Sequence, residues 1–198
     1  MPRRVEPILE GRFCHVYNRG NNRAPIFLEE ANYAFFIKQL RQFFAGTHAA
    51  IVAYVLMPNH YHLLLRALSG EMSQAIQRFS ISYTKAINLR FDRVGALFQG
   101  AFQAKEVATD EYLLHLSRYI HLNPLRAKLV DDLPAWIYSS YHEYVGLRQG
   151  TLPNPKIVWD SLVNSGASWS IAEVQRRYKA FVDDYQPPDR EKIASLLF

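Results

Sequence analysis

The sequence predicts an α+β fold, an antiparallel sheet with helices on one face. Three observations carry this. Apolar residues alternate in short runs and recur every three to four residues in longer ones, so strand and helix periods succeed each other. Turn residues separate the runs at Gly20-Asn21-Asn22, at Pro58-Asn59, and between Gly95 and Gly100. The resulting order is β-α-β-β-α-β with a further helix behind it, a split βαβ arrangement.

Residues 12–19 (RFCHVYNR) alternate as a strand. Residues 29–45 place Tyr33, Phe36, Ile37, Leu40 and Phe44 at helical spacing, with Glu29 and Glu30 in the first turn, where the helix dipole favours acids. Residues 49–57 (AAIVAYVLM) read as a buried strand and 60–67 (HYHLLLRA) as its return, so 49–67 is a hairpin. Residues 71–91 carry Met72, Ala75, Ile76, Phe79 and Tyr83 along one side of a helix, and 102–108 (FQAKEVA) read as a weak strand. Thr109 is an N-cap, followed by Asp110, Glu111 and a helix to about Leu122, which Pro124 closes or kinks. A short helix is expected near 125–130, then the aromatic stretch WIYSSYHEYVG and a loop at TLPNPK. Ser170-x-x-Glu173 is a capping box opening a helix with Val174, Tyr178, Phe181 and Val182 on one face. The first six elements form a ferredoxin-like (RRM-like) core. The helix bearing Tyr119 is added after the last strand, and the division expected is a domain over 1–147 and a helical C-terminal extension over 148–198.

A chain of 198 residues can bury a sizeable core without disulfides, and its one cysteine, Cys14, excludes an intrachain disulfide and a Cys-based zinc site. With 49% hydrophobic and 21% charged residues it is not a disordered sequence. No apolar run is long enough to span a membrane and the basic N-terminus has no apolar signal core, so a reducing, cytoplasmic compartment is expected. The net charge of +5 belongs to the first two thirds of the chain; the tail from 151 balances six cations against six acids. Arg3, Arg4, Arg12, Arg19, Arg23, Arg78, Lys85, Arg90, Arg93, Lys105 and Arg118 lie in the basic segments, often beside aromatics or amides, as in RFSISYTK and NLRFDR. Cations for phosphates beside rings for bases suit a single-stranded nucleic acid; a solvated basic face is the plainer account of the charge alone.

Two constellations carry chemistry. His60 and His62 are two apart on a strand, so both imidazoles project from one face with Cα atoms roughly 6–7 Å apart, close enough to share a metal ion. Tyr119 and Asn123 are four apart on a helix and share a face with Tyr112 and Leu116, so a phenol nucleophile and an amide ligand would lie one turn apart. Spacing alone favours the plainer readings, two polar histidines at a hairpin and a packed tyrosine with a helix-ending asparagine, and Tyr83 competes as nucleophile. Cys14 and His15 are adjacent on a strand and point to opposite faces, so they form no dyad. No P-loop, Gly-x-Ser-x-Gly or dinucleotide fingerprint is present.

The string MPNHYHLLL (57–65) followed by RYIHLNPLRA (118–127) resembles the single-tyrosine HUH transposases (IS200-like), in which two histidines flank a hydrophobe, here Tyr61. HVYNRGNNRAPIF (15–27), SYTKAINLRFDRVGALFQGAF (82–102) and WIYSSYHEYVG (136–146) resemble the branch associated with repetitive extragenic palindromic (REP) elements. The likeness covers roughly residues 10–147, and the tail is outside it. It implies His60 and His62 as the metal pair, Asn123 as a third, amide ligand, and Tyr119 as the nucleophile. Ala101 stands where the branch commonly has an arginine that contacts the DNA backbone.

The resemblance further implies Mg²⁺ or Mn²⁺ as cofactor, single-stranded or hairpin DNA as partner, and cleavage and rejoining through a 5′-phosphotyrosine. It admits both a homodimer, with Tyr119 facing the partner's histidines, and a monomer. DNA contacts are expected from Arg12, Arg19, Arg23, Arg78, Lys85, Arg90, Arg93, Lys105 and Arg118. The alternative is a non-catalytic single-stranded nucleic-acid-binding module on the same sheet; it lacks an RNP1-type aromatic string here, and binding needs neither histidine pair nor tyrosine. A replication-initiator or relaxase nuclease is a further alternative, but those often carry paired tyrosines, whereas Ser117 and Ile120 stand near Tyr119.

Overall fold

Alternation in β1 (Phe13–Arg19) sends Cys14 and Val16 to one face of a sheet and His15 and Tyr17 to the other. A computed structural model describes residues 8–44, 46–163 and 168–186 of the chain; Arg3, Arg4 and the extension beyond Gln186 lie outside the described residues. Strands β2 (Ala49–Met57), β3 (His60–Ala67) and β4 (Gln103–Val107) join β1 in the order β2-β3-β1-β4, and each neighbouring pair is antiparallel. That is the ferredoxin-like order expected from the sequence.

Helices α1 (Glu30–Phe43) and α2 (Met72–Arg90) cover one face. Their Phe36, Leu40, Phe79 and Tyr83 pack on Val16, Tyr61, Leu63 and Leu65. Each such side chain contributes about 1.5–3 kcal/mol on burial. Tyr83 belongs wholly to this core: its hydroxyl donates to the Ile26 carbonyl at 2.9 Å and burial pushes its phenol far above the usual range, so it is no nucleophile.

The opposite face is covered by α3 (Asp110–Arg126), which packs Leu113, Leu116 and Ile120 on Val55, Met57 and Leu64. A register shift between Ile51 and Ala53 in β2 turns Val52 and Ala53 both toward α3, so this strand serves two cores. Thr109 caps α3 through a hydrogen bond from the Tyr112 amide. Pro124 does not end the helix, contrary to the expected stop near Leu122, and no separate helix forms at 125–130. Proline so near the C-terminus removes a single hydrogen bond, and the Asn123, Pro124 and Leu125 carbonyls still accept from Ala127, Leu129 and Lys128.

The aromatic stretch wraps the outer edge of β2. Ser139 bridges Val55, Tyr138 stacks on Tyr33 at 3.8 Å, and the Tyr144 hydroxyl donates to the Val52 carbonyl. Two short helices here, α4 (Tyr141–Tyr144) and α5 (Lys156–Leu162), were not expected from the sequence, being too brief to display a period. Helix α6 (Ile171–Asp183) begins at the expected capping box and buries Val174, Tyr178 and Val182.

Tyr178 ties α6 to α3. Its hydroxyl meets Ser117 Oγ at 3.0 Å and His121 Nδ1 at 2.8 Å, while His121 Nε2 meets Ser140 Oγ at 2.7 Å. Burial, with His142 adding repulsion, lowers the His121 pKa from 6.5 to about 3. The unfolded chain therefore takes up this proton first on acidification. The stabilisation is complete above pH 6.5 and is lost as pH falls toward 3, at about 1.4 kcal/mol per pH unit. Urea unfolding at pH 7 and pH 4.5 is expected to show His121→Asn losing about 2–3 kcal/mol less than the wild type over that interval; equal losses would contradict the assignment.

Candidate active site

The α3 face of the sheet holds the polar cluster. In the β1–β3 register Tyr17 lies opposite His62 and Arg19 opposite His60, so all four side chains share that face. His62 is fully buried, and its Nδ1 lies 2.8 Å from His15 Nε2. His60 Nδ1 donates to Asn59 Oδ1 at 2.7 Å, which leaves Nε2 as its basic nitrogen. The His60 and His62 rings stand nearly perpendicular with centroids 5.2 Å apart.

Both histidines are held neutral. Burial, reinforced by the Arg19 guanidinium, lowers the His60 pKa to about 4. Burial also drives His62 well below its ordinary value, with His15 and His60 adding to the effect. Neutral imidazoles keep the lone pairs a metal needs.

Gly20 secures the turn that presents His60. Its amide donates to the Asn59 carbonyl at 2.7 Å, and a Cβ there would collide with the Ala24 carbonyl oxygen. Asn59 Nδ2 donates in turn to the Arg23 carbonyl.

Tyr119 comes to this cluster from the same chain. Its ring meets His62 edge to face with centroids 5.7 Å apart. Asn123, one turn later, donates Nδ2 to the Tyr119 carbonyl at 2.8 Å. His121 is turned away into the α6 network, as two residues along a helix requires. Among the described residues no cluster of three or more His, Cys, Asp or Glu side chains is placed to hold a metal. Two neutral imidazoles on one face, His60 and His62, are of a donor type that fits a divalent cation.

His15 and Tyr17 complete the site and were not singled out from the sequence. Their signal was the alternation of β1, which sets both on the face opposite Cys14. Cys14 lies in the other core, where burial pushes its thiol up to about 12.

The basic residues divide by location. Arg19 flanks His60 and donates to Gln99, Arg23 is exposed beside the Asn59 turn, and Lys105 on β4 lies 5.9 Å from the Tyr17 ring on the site face. Arg78 and Lys85 are exposed on α2, and Lys85 borders a groove of about 720 Å³ floored by Leu97, Phe98 and Phe102. Arg90 pairs with Glu29 at the end of α2, Arg93 follows it half-buried, and Arg12 pairs with Glu106. Arg118 leaves the expected DNA-binding set: it is 3% exposed, donates to the Phe181 carbonyl and stacks on the Phe181 ring at 4.0 Å. Its charge serves the contact with α6.

Among the described residues no helix is long and apolar enough to cross a membrane. A solved structure of a REP-associated tyrosine transposase bound to a REP hairpin is similar in fold, with a TM-score of 0.61 at 18% identity over 86% of this chain and 99% of that one. No curated protein matches the sequence. The family model described as Transposase IS200 like matches residues 12–123. That span opens on β1 and closes at Asn123, so the histidines of β3 and the tyrosine of α3 both fall inside it, and the chain belongs to the IS200-like transposase family.

Proposed function

We propose that this transposase cleaves and rejoins single-stranded DNA at hairpin or palindromic elements, in a divalent-metal-dependent reaction through a 5′-phosphotyrosine on Tyr119. The observation that carries the reading is the Tyr119 ring against His62 within one chain, on a face with a second neutral imidazole. The hairpin held by the structural relative supports the substrate class.

In this reading His60 Nε2 and His62 Nε2 hold Mg²⁺ or Mn²⁺, with His62 Nδ1 donating to His15 and His60 Nδ1 to Asn59. Asn123 adds Oδ1, its Nδ2 being committed to the Tyr119 carbonyl. The bound ion supplies Lewis-acid polarisation of the scissile phosphate. Tyr119 Oη gives up its proton to solvent and attacks phosphorus in line, and the departing O3′ takes a proton from solvent. The bond to O3′ breaks, the 3′-hydroxyl leaves, and the 5′-phosphate stays on Tyr119. A 3′-hydroxyl from another strand reverses the step, so the phosphodiester energy is kept and no nucleotide cofactor is needed. Arg19, Arg23 and Lys105 hold the backbone near the cleavage point, while Arg78, Lys85, Arg90 and Arg93 serve the strand or stem along α2. Arg12, at the other end of β1, is an outlying contact.

The test is covalent capture. A 3′-labelled single-stranded hairpin is incubated with the protein and Mn²⁺, then run under denaturing conditions, with chelator and linear or duplex DNA in parallel. A metal-dependent, denaturation-resistant adduct favouring the hairpin is expected. Tight hairpin binding with no adduct in any metal would leave only the non-catalytic binding module, and preference for duplex would remove the substrate assignment.

A further inference from the structure

Arg126 lies seven residues after Tyr119, in the last turn of α3, and its guanidinium carbon is 5.3 Å from the Tyr119 ring centroid. The ring centroid of Tyr185, from the C-terminal extension, is 5.5 Å from the same carbon. An exposed arginine side chain ordinarily samples many rotamers. This one lies near two aromatic rings, one of them the nucleophile's.

Tyr185 is itself held in place. The buried Arg118 lies 5.4 Å from the Tyr185 ring and 4.0 Å from Phe181, and it hydrogen-bonds the Phe181 carbonyl and His115. The bonds of Tyr178 to Ser117 and His121 fix α6 seven residues before Tyr185. The two arginines thus differ in kind. Arg118 is consumed by packing, while Arg126 is exposed and pairs with no carboxylate among the described residues.

A guanidinium stacked on ring faces keeps its N–H edge for an anion, and its planar fork matches phosphate oxygens. We propose that Arg126 binds the phosphodiester that Tyr119 attacks, and that Tyr185 is the positioning residue that holds it there. The extension thereby completes the active site. This assignment rests on Tyr119 being the nucleophile.

The experiment uses the full chain, the hairpin substrate and Mn²⁺ under single-turnover conditions, reading the rate of adduct formation at saturating DNA separately from DNA affinity. Arg126→Gln is expected to lower the rate about 100-fold with affinity changed less than about threefold, as for loss of a donor to a developing charge. Arg126→Lys retains charge without the fork and recovers part of the rate. Tyr185→Leu is expected to lose about tenfold in rate and Tyr185→Phe almost nothing, since only the ring is needed. Thermal melting identifies any variant that has lost the fold, and Arg126→Gln, at an exposed position, keeps the test open if Tyr185→Leu unfolds. A substrate with a neutral methylphosphonate at the cleaved position is expected to erase the difference between wild type and Arg126→Gln. Rates within twofold of wild type for Arg126→Gln, or a loss confined to affinity, would overturn the proposal. An adduct that persists in Tyr119→Phe would instead overturn the function on which it rests.

Discussion

Tyr119→Phe is expected to abolish covalent capture while leaving hairpin binding and folding almost intact. The substitution removes one oxygen, so no phosphotyrosine can form. A residual rate at least 10³-fold below wild type is expected, since loss of a covalent nucleophile is not made up by its neighbours. The ring remains to pack edge-on against His62 and beneath Arg126, so the fold keeps those contacts. The cost in urea-measured stability is expected to stay below about 1 kcal/mol, because most of the buried area is that of the ring. The check is a denaturing-gel adduct assay beside hairpin binding and a melting curve for the same variant. A surviving adduct would move the nucleophile elsewhere, and Tyr83 is a poor candidate because it is sealed in the other core.

The second large effect is expected at His62. His62→Ala removes one of two imidazoles and leaves His15 Nε2 without its buried partner. Mn²⁺ affinity measured by calorimetry is expected to fall at least 100-fold, with adduct formation lost alongside it. Stability is expected to fall by about 2–4 kcal/mol, from the cavity and the stranded polar atom together. His60→Ala separates the two consequences. His60 is only partly buried and bonds to a turn asparagine, so the same loss of metal binding is expected with about 1 kcal/mol of stability or less. His15→Gln is expected to weaken Mn²⁺ binding about 10-fold or more through its grip on His62. Equal Mn²⁺ affinity in His62→Ala and wild type would place the ion elsewhere.

These contrasts follow from a division of labour between the two faces of one sheet. The α1 and α2 face is an ordinary apolar core. The α3 face places polar rings beside that helix, and α6 closes over the helix from behind. Helix α3 is therefore fixed from two directions, by Tyr119 at the histidines and by Tyr178 at α6.

The strand and helix periods, the turns at Gly20 and Pro58-Asn59, the Thr109 cap and the Ser170–Glu173 box were legible in the residues, because each is a local rule. So was the pairing of His60 with His62, which needs only the two-residue repeat of a strand. The meeting of His62 with Tyr119 could be named from motif resemblance, but its placement within one chain is a matter of packing between segments 57 residues apart. The contribution of His15 depended on strand register, the continuation of α3 past Pro124 on hydrogen bonds at its end, and the diversion of Arg118 on a helix docking 63 residues later. Arg126 beside Tyr119 follows from helical spacing, yet the second ring near it belongs to the extension. Local periodicity thus determined which elements exist and which residues share a face. Tertiary packing alone decided which faces meet, because burial and hydrogen bonding between distant segments act through space and leave no repeat along the chain.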